Sequence, residues 1–259
     1  MTDDDAPLTA PPLVLTGERT LPGIPDERYW FERHVVAYRL AAARAAGLTV
    51  LDAGCGEGYG LRMLADADAR RVIGVDLEPA VVAHAQATYG TDPRIEVHQA
   101  ELMDLPLSDG EVDLTVSFQV IEHLHDIPGY LRSLARVTRP GGEVLIATPN
   151  RLTFTPGSDV PVNPFHTREF TADELRDELT AAGLHVGAVH GIHHGPGLRT
   201  IETLARRPFT DLVTAGAPDD WPRWLRTVVH RVTADHFTVR TDDVDASLDL
   251  LAVCRVPRR

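Results

Sequence analysis

Glycine takes every second position from Gly54 to Gly60 in the run Val50-Leu51-Asp52-Ala53-Gly54-Cys55-Gly56-Glu57-Gly58-Tyr59-Gly60, directly behind an apolar stretch. Such a run reads as a buried strand, a tight turn and a helix N-terminus, where bare backbone lets a ligand come close. The dinucleotide fingerprint G-x-G-x-x-G does not fit, because its sixth position falls on Tyr59 counted from Gly54 and on Leu61 counted from Gly56. A phosphate-binding P-loop needs a lysine, and the chain has none. A second set of reactive groups lies further on: Glu122 and His123 are adjacent, and His166 follows in a proline-rich stretch. A histidine there can act as a general base toward a hydroxyl, or the three can hold a divalent ion. In the plainest reading Glu122 caps a helix and His123 only packs. His125, His193 and His194 are weaker candidates. The last two precede Gly195-Pro196, and a surface loop explains them more simply.

The elements that would carry these groups alternate. Strands are expected at 49–53, 71–76, 94–98, 112–118 and 142–148, and helices near 58–67, 79–89, 127–138 and 172–182. This alternation implies an α/β fold, a doubly wound, mostly parallel sheet covered by helices on both faces. A strand at about 184–190 and a final one within 247–254 bring the expected count to seven. Residues 192–245 are too long for a loop and read as a helical insertion before the last strand, a substrate wall or a homodimer contact. An aromatic-rich helix over 28–40 would cover a sheet edge, a ligand, or both. Residues 1–15, acidic and proline-rich, read as a disordered tail, and residues 16–259 as a single domain.

Ligands of open α/β sheets bind beyond the carboxyl ends of the strands. There Asp76 closes the second strand, 18 residues after Gly58, and its carboxylate can accept two ribose hydroxyls. The D-x-G-x-G-x-G pattern of Asp52, Gly54, Gly56 and Gly58 resembles the first motif of class I S-adenosylmethionine (SAM) methyltransferases. That resemblance implies a loop of Asp52, Gly54, Cys55, Gly56 and Gly58 around the amino-acid part of SAM. It further implies Asp76 on the ribose, Leu77 with Ala100, Glu101 and Leu102 around the adenine, and Phe118 and Gln119 under the methionine. Leu15-Thr16-Gly17-Glu18-Arg19-Thr20, Tyr29-Trp30-Phe31, Phe118 to His123, Thr148 to Phe154 and Asn163 to Glu169 resemble actinobacterial sugar O-methyltransferases of polymethylated-polysaccharide clusters. The acceptor so implied is a hydroxyl of a saccharide or glycolipid precursor. A quinone or polyketide-like phenol is the neighbouring alternative, and a non-catalytic SAM-binding protein the alternative of another class. Related enzymes carry E-x-x-E-H and a later histidine as a magnesium site. Here Gln119 replaces the first acid, which weakens a metal because a neutral amide is a poorer ligand for a hard cation.

Composition narrows the partners. The 259 residues are 43% hydrophobic, enough for one well-buried domain, and the net charge is −13 with every cation an arginine. An acidic chain without a basic run argues against nucleic acid. Cys55 and Cys254, far apart in sequence, form no zinc or disulfide pattern, and Cys55 reads as a small residue in a tight loop. The acidic start has no apolar leader and no run reaches the ~20 residues of a membrane span, so a cytoplasmic protein is expected.

Overall fold

Val50 and Leu51 are both fully buried, as are Val72 with Ile73 and Leu145 with Ile146. Successive residues of a strand point to opposite faces, so these strands are covered on both sides, as parallel strands are. The computed structural model describes residue 13 and residues 20–258. The expected tail over residues 1–15 therefore lies outside the described residues, Leu13 apart.

In chain order the elements are α1 (Arg28–Ala45), β1 (Thr49–Ala53), α2 (Tyr59–Asp66), β2 (Arg71–Asp76), α3 (Pro79–Tyr89), β3 (Ile95–Gln99), β4 (Val112–Phe118), α4 (Ile127–Val137), β5 (Thr138–Pro149), α5 (Arg151–Phe154) and α6 (Ala172–Ala181). They are followed by β6 (His185–His194), α7 (Pro196–Ala205), α8 (Phe209–Thr214), α9 (Arg223–Val229), β7 (Phe237–Arg240) and β8 (Asp249–Arg255). The sheet order is β3-β2-β1-β4-β5-β8-β6-β7. Strands β1 to β5 pair in parallel, whereas β8 runs antiparallel between β5 and β6.

The sheet thus has eight strands where seven were expected. The extra one, β7, pairs antiparallel with the end of β6 and lies inside the 192–245 segment, which is therefore not purely helical. Four residues carry too little alternation to stand out beside three helices. The same pairing extends β6 to His194, so His193 and His194 end a strand and are buried at 7% and 6% exposure, not set in a surface loop.

One apolar cluster joins α1 and α2 to the insertion, through Tyr38, Ala41, Leu61, Leu64, Leu198, Phe209 and Leu225. The other joins α4 and α6, through Tyr130, Leu134, Leu175 and Leu179. The insertion therefore packs on the face that α1 covers. Among the described residues no helix is long and apolar enough to cross a membrane.

Candidate active site

The chain reverses its direction across the sheet between β1 and β4, and a cleft of about 330 Å³ opens at the strand ends there. Gly54, Cys55 and Gly56 form one wall, Asp76 and Leu77 a second, Glu101 and Leu102 a third, and Phe118 and Gln119 the floor. Four stretches from four separate turns meet here. Asp52, Gly58 and Ala100 do not line the cleft. Asp52 is fully buried beneath it and accepts a hydrogen bond from the Tyr38 hydroxyl at 3.0 Å. Gly58 caps α2 with φ 99°, and a Cβ there would lie 2.8 Å from the Tyr89 ring, so its role is packing. The Ala100 N–H is held by the Asp76 carbonyl at 3.1 Å.

The loop is built around Asp76. Its Oδ2 accepts from Gly56 N at 3.0 Å and its Oδ1 from Glu78 N at 3.1 Å, which fixes the carboxylate at the tip of β2. Gly54 has φ 84°, and a Cβ on it would lie 2.5 Å from Val120 Cγ2. The glycine turn and the β4 turn therefore touch, and only glycine fits. Burial pushes the Cys55 thiol well above its ordinary value, in keeping with a packing role.

Glu57, Met103 and Val120, from the stretches expected at the cofactor, complete the cleft together with Thr20, His34, Tyr38, Tyr59, Glu78 and Leu124, for which no cofactor contact was singled out. Helix α1 covers the cleft with His34 and Tyr38, while Tyr29 is buried against the insertion at 1% exposure. Burial lowers the His34 pKa to about 4, with nearby Asp249 opposing and Arg33 adding to the shift, so this imidazole is neutral near pH 7. The signal for these positions was present only as aromatic content in the helix.

His123 also lines the cleft. Ligand atoms of Glu122, His123 and His166 lie within 4.8 Å of one another, and the two imidazoles meet edge to face at 5.0 Å between centroids. Loop 163–169 is stitched to the turn Ile121–His123 by Thr167 N on the Glu122 carbonyl at 2.7 Å and Thr167 Oγ1 on the Leu124 carbonyl at 2.8 Å. His123 Nδ1 lies 3.0 Å from the Phe165 carbonyl, so the proton sits on Nδ1. His166 Nδ1 donates to Glu169 Oε1 at 2.7 Å, and its Nε2 accepts from Asn163 Nδ2 at 3.1 Å. Glu122 accepts from the Thr148 hydroxyl at 2.9 Å, and burial raises its pKa to about 8. Glu169, fully buried, was not foreseen as a partner of His166.

As a magnesium site this donor set fits poorly. Magnesium takes oxygen ligands, whereas the cluster offers two nitrogens and one carboxylate, a set that suits borderline transition ions. The first position of the motif, Gln119, turns its amide to Asp249 at 3.2 Å.

A glycine turn at the switch point and an acid at the tip of the next strand suit a nucleoside-bearing ligand. Residues 51–146 match the model of the methyltransferase domain family. A probable S-adenosylmethionine-dependent methyltransferase of Mycolicibacterium smegmatis is 46% identical, over 95% of this chain and 96% of its own length. One of Mycobacterium tuberculosis is 47% identical, over 95% of this chain and 90% of its own. Among solved structures, the complex between the Haloferax volcanii Trm112 methyltransferase activator and a methyltransferase matches with TM-score 0.63 and 24% identity, covering 91% of this chain and 95% of that one. The chain belongs to the class I SAM-dependent methyltransferases.

Proposed function

We propose that the protein transfers the methyl group of SAM to a hydroxyl of a saccharide or glycolipid precursor, with His123 or His166 as general base. The observation that supports this reading is the clustering of Glu122 and His166 around His123, the one of the three that lines the cleft. Displacement at a sulfonium methyl requires only that acceptor, methyl carbon and sulfur lie in line. A sugar hydroxyl is a weak nucleophile near neutrality and needs its proton removed as it attacks. The oxygen–carbon bond forms, the carbon–sulfur bond breaks, and the electron pair leaves on sulfur as a neutral thioether. The hydroxyl proton goes to Nε2 of His123, or to Nε2 of His166 once the acceptor hydroxyl displaces the Asn163 amide from it. Glu169 supports this role at His166, because it holds the proton on Nδ1 and stabilises the imidazolium that would form. A phenolic acceptor is the second reading, favoured by the exposed apolar side chains Leu152, Val160, Val162 and Phe165 in the segment that precedes His166.

The test is a methyl-transfer screen on partially methylated oligosaccharides and a phenol, with and without chelator. We expect His123→Ala and His166→Ala to lower turnover by ~10²–10⁴-fold with SAM affinity kept. Chelation should leave the rate unchanged. Loss on chelation with recovery on added transition metal would replace the base by a metal-assisted mechanism. Near-normal turnover in both histidine variants would leave positioning alone as the source of catalysis.

A further inference from the structure

Gln119 stands where the E-x-x-E-H pattern has its first acid, and its amide has another occupation. Its Nε2 donates to Asp249 Oδ1 at 3.2 Å. The same carboxylate is gripped by Arg33, with Nε on Oδ2 and Nη2 on Oδ1, both at 2.5 Å. Arg33 and Asp249 side chains are 3% and 1% exposed. Arg33 Nη2 also donates to the Leu248 carbonyl at 2.7 Å. Three distant pieces of chain are thereby joined: the covering helix α1, the start of β8 where the insertion returns to the sheet, and the turn after β4. Gln119 itself has φ 57°, a left-handed conformation uncommon for a side chain of its kind, and its N–H donates to the Ala147 carbonyl at 2.8 Å. Val120, the next residue, is the side chain that abuts Gly54.

We propose that Gln119 is a positioning residue. Its amide, latched to the Arg33–Asp249 pair, holds Phe118–Val120 as the floor of the SAM cleft, and the charge of Asp249 excludes an acid from this position. The charges of Arg33 and Asp249 cancel, and the pair is desolvated. A neutral donor completes the carboxylate's hydrogen bonds. A glutamate in its place would set a second carboxylate against one guanidinium and leave Asp249 Oδ1 without that donor, and an unbalanced buried charge is strongly unfavourable. The side chain that serves as latch is therefore lost as a cation ligand. The inference concerns the cofactor floor and does not depend on which acceptor is methylated.

The test exchanges amide and acid in a double-mutant cycle of Gln119→Glu, Asp249→Asn and the two together. SAM affinity is read by calorimetry well below the unfolding midpoint, and the midpoint is read separately. Each single variant unbalances the buried charge and is expected to weaken SAM binding roughly tenfold, whereas the double variant restores both balance and hydrogen bond and should return to within about threefold. A cycle with coupling in the midpoint but unchanged SAM affinity would reduce the network to structural support and overturn the proposal. If the charged single variants do not fold, Gln119→Gly decides. It keeps the left-handed backbone and removes the amide, so the latch predicts weakened SAM binding, and wild-type affinity would overturn it.

Discussion

Asp52 sits at the end of β1 with its carboxylate buried and the Tyr38 hydroxyl as donor. Burial raises its pKa from an ordinary 3.8 to about 7, the Tyr38 hydrogen bond opposes the shift, and the charge of Asp76 adds to it. Between these two values the folded chain keeps a proton that the unfolded chain has released. Stability of the cofactor-free protein should therefore fall as pH rises through this window and level off above about 7. Asp52→Asn keeps an acceptor for Tyr38 and abolishes the titration. It should raise the unfolding midpoint at pH 8 by ~2–4 °C per kcal/mol of penalty removed, with the gain fading toward pH 4. Melting curves of both proteins across pH provide the check, and equal gains at acid and alkaline pH would show that another effect is at work. Sequence alone marked Asp52 as a cofactor ligand. Which way its carboxylate turns depends on Tyr38, 14 residues earlier on a helix whose docking no local pattern reveals.

At the scale of elements, the insertion is fastened to α1 by a chain of hydrogen bonds that starts in the core. The Tyr29 hydroxyl meets His194 Nε2 at 2.7 Å, His194 Nδ1 meets Glu202 Oε1 at 2.9 Å, and that oxygen accepts from Phe209 N at 2.9 Å. These contacts link α1, the end of β6, α7 and the start of α8. Tyr29→Phe would preserve the ring packing on Phe209 and Phe237 but strand a buried histidine nitrogen, at a cost of ~1–3 kcal/mol. Its midpoint should drop by several degrees while SAM affinity stays unchanged, since Tyr29 does not line the cleft. A large loss of affinity in this variant would mean that the insertion shapes the cofactor site. The histidine pair and the aromatic helix were legible as residues of interest. Their union was not, because it joins positions 165 residues apart.

At the scale of the molecule, the cleft lies between the sheet and a segment that precedes it in sequence. Thr20 lines the cleft and its hydroxyl lies 3.3 Å from His34 Nδ1, while Tyr38 reaches Asp52 under the glycine turn. SAM binding should thus slow amide hydrogen exchange across residues 20–38 as well as in the glycine loop and the turn after β4. Saturating cofactor, at about 100 times its dissociation constant, should add ~2.7 kcal/mol to stability. Protection confined to the strand ends, with residues 20–38 unaffected, would argue that α1 is a bystander.

The doubly wound sheet and the glycine turn were determined by sequence alone, because both depend on neighbours in the chain. Paired apolar runs such as Val72-Ile73 can be buried only between two layers of helices, and glycines at alternate positions serve a tight approach of backbone. The tertiary structure alone decided how side chains from separate elements complete one another. The four-residue β7 exists because β6 offers it an edge, and His193 and His194 are buried as a result. Glu169 orients His166, and Asp249 claims the amide of Gln119. Such contacts rest on the three-dimensional placement of a donor and an acceptor within about 3 Å, and the distance along the chain between Gln119 and Asp249, 130 residues, carries no trace of it.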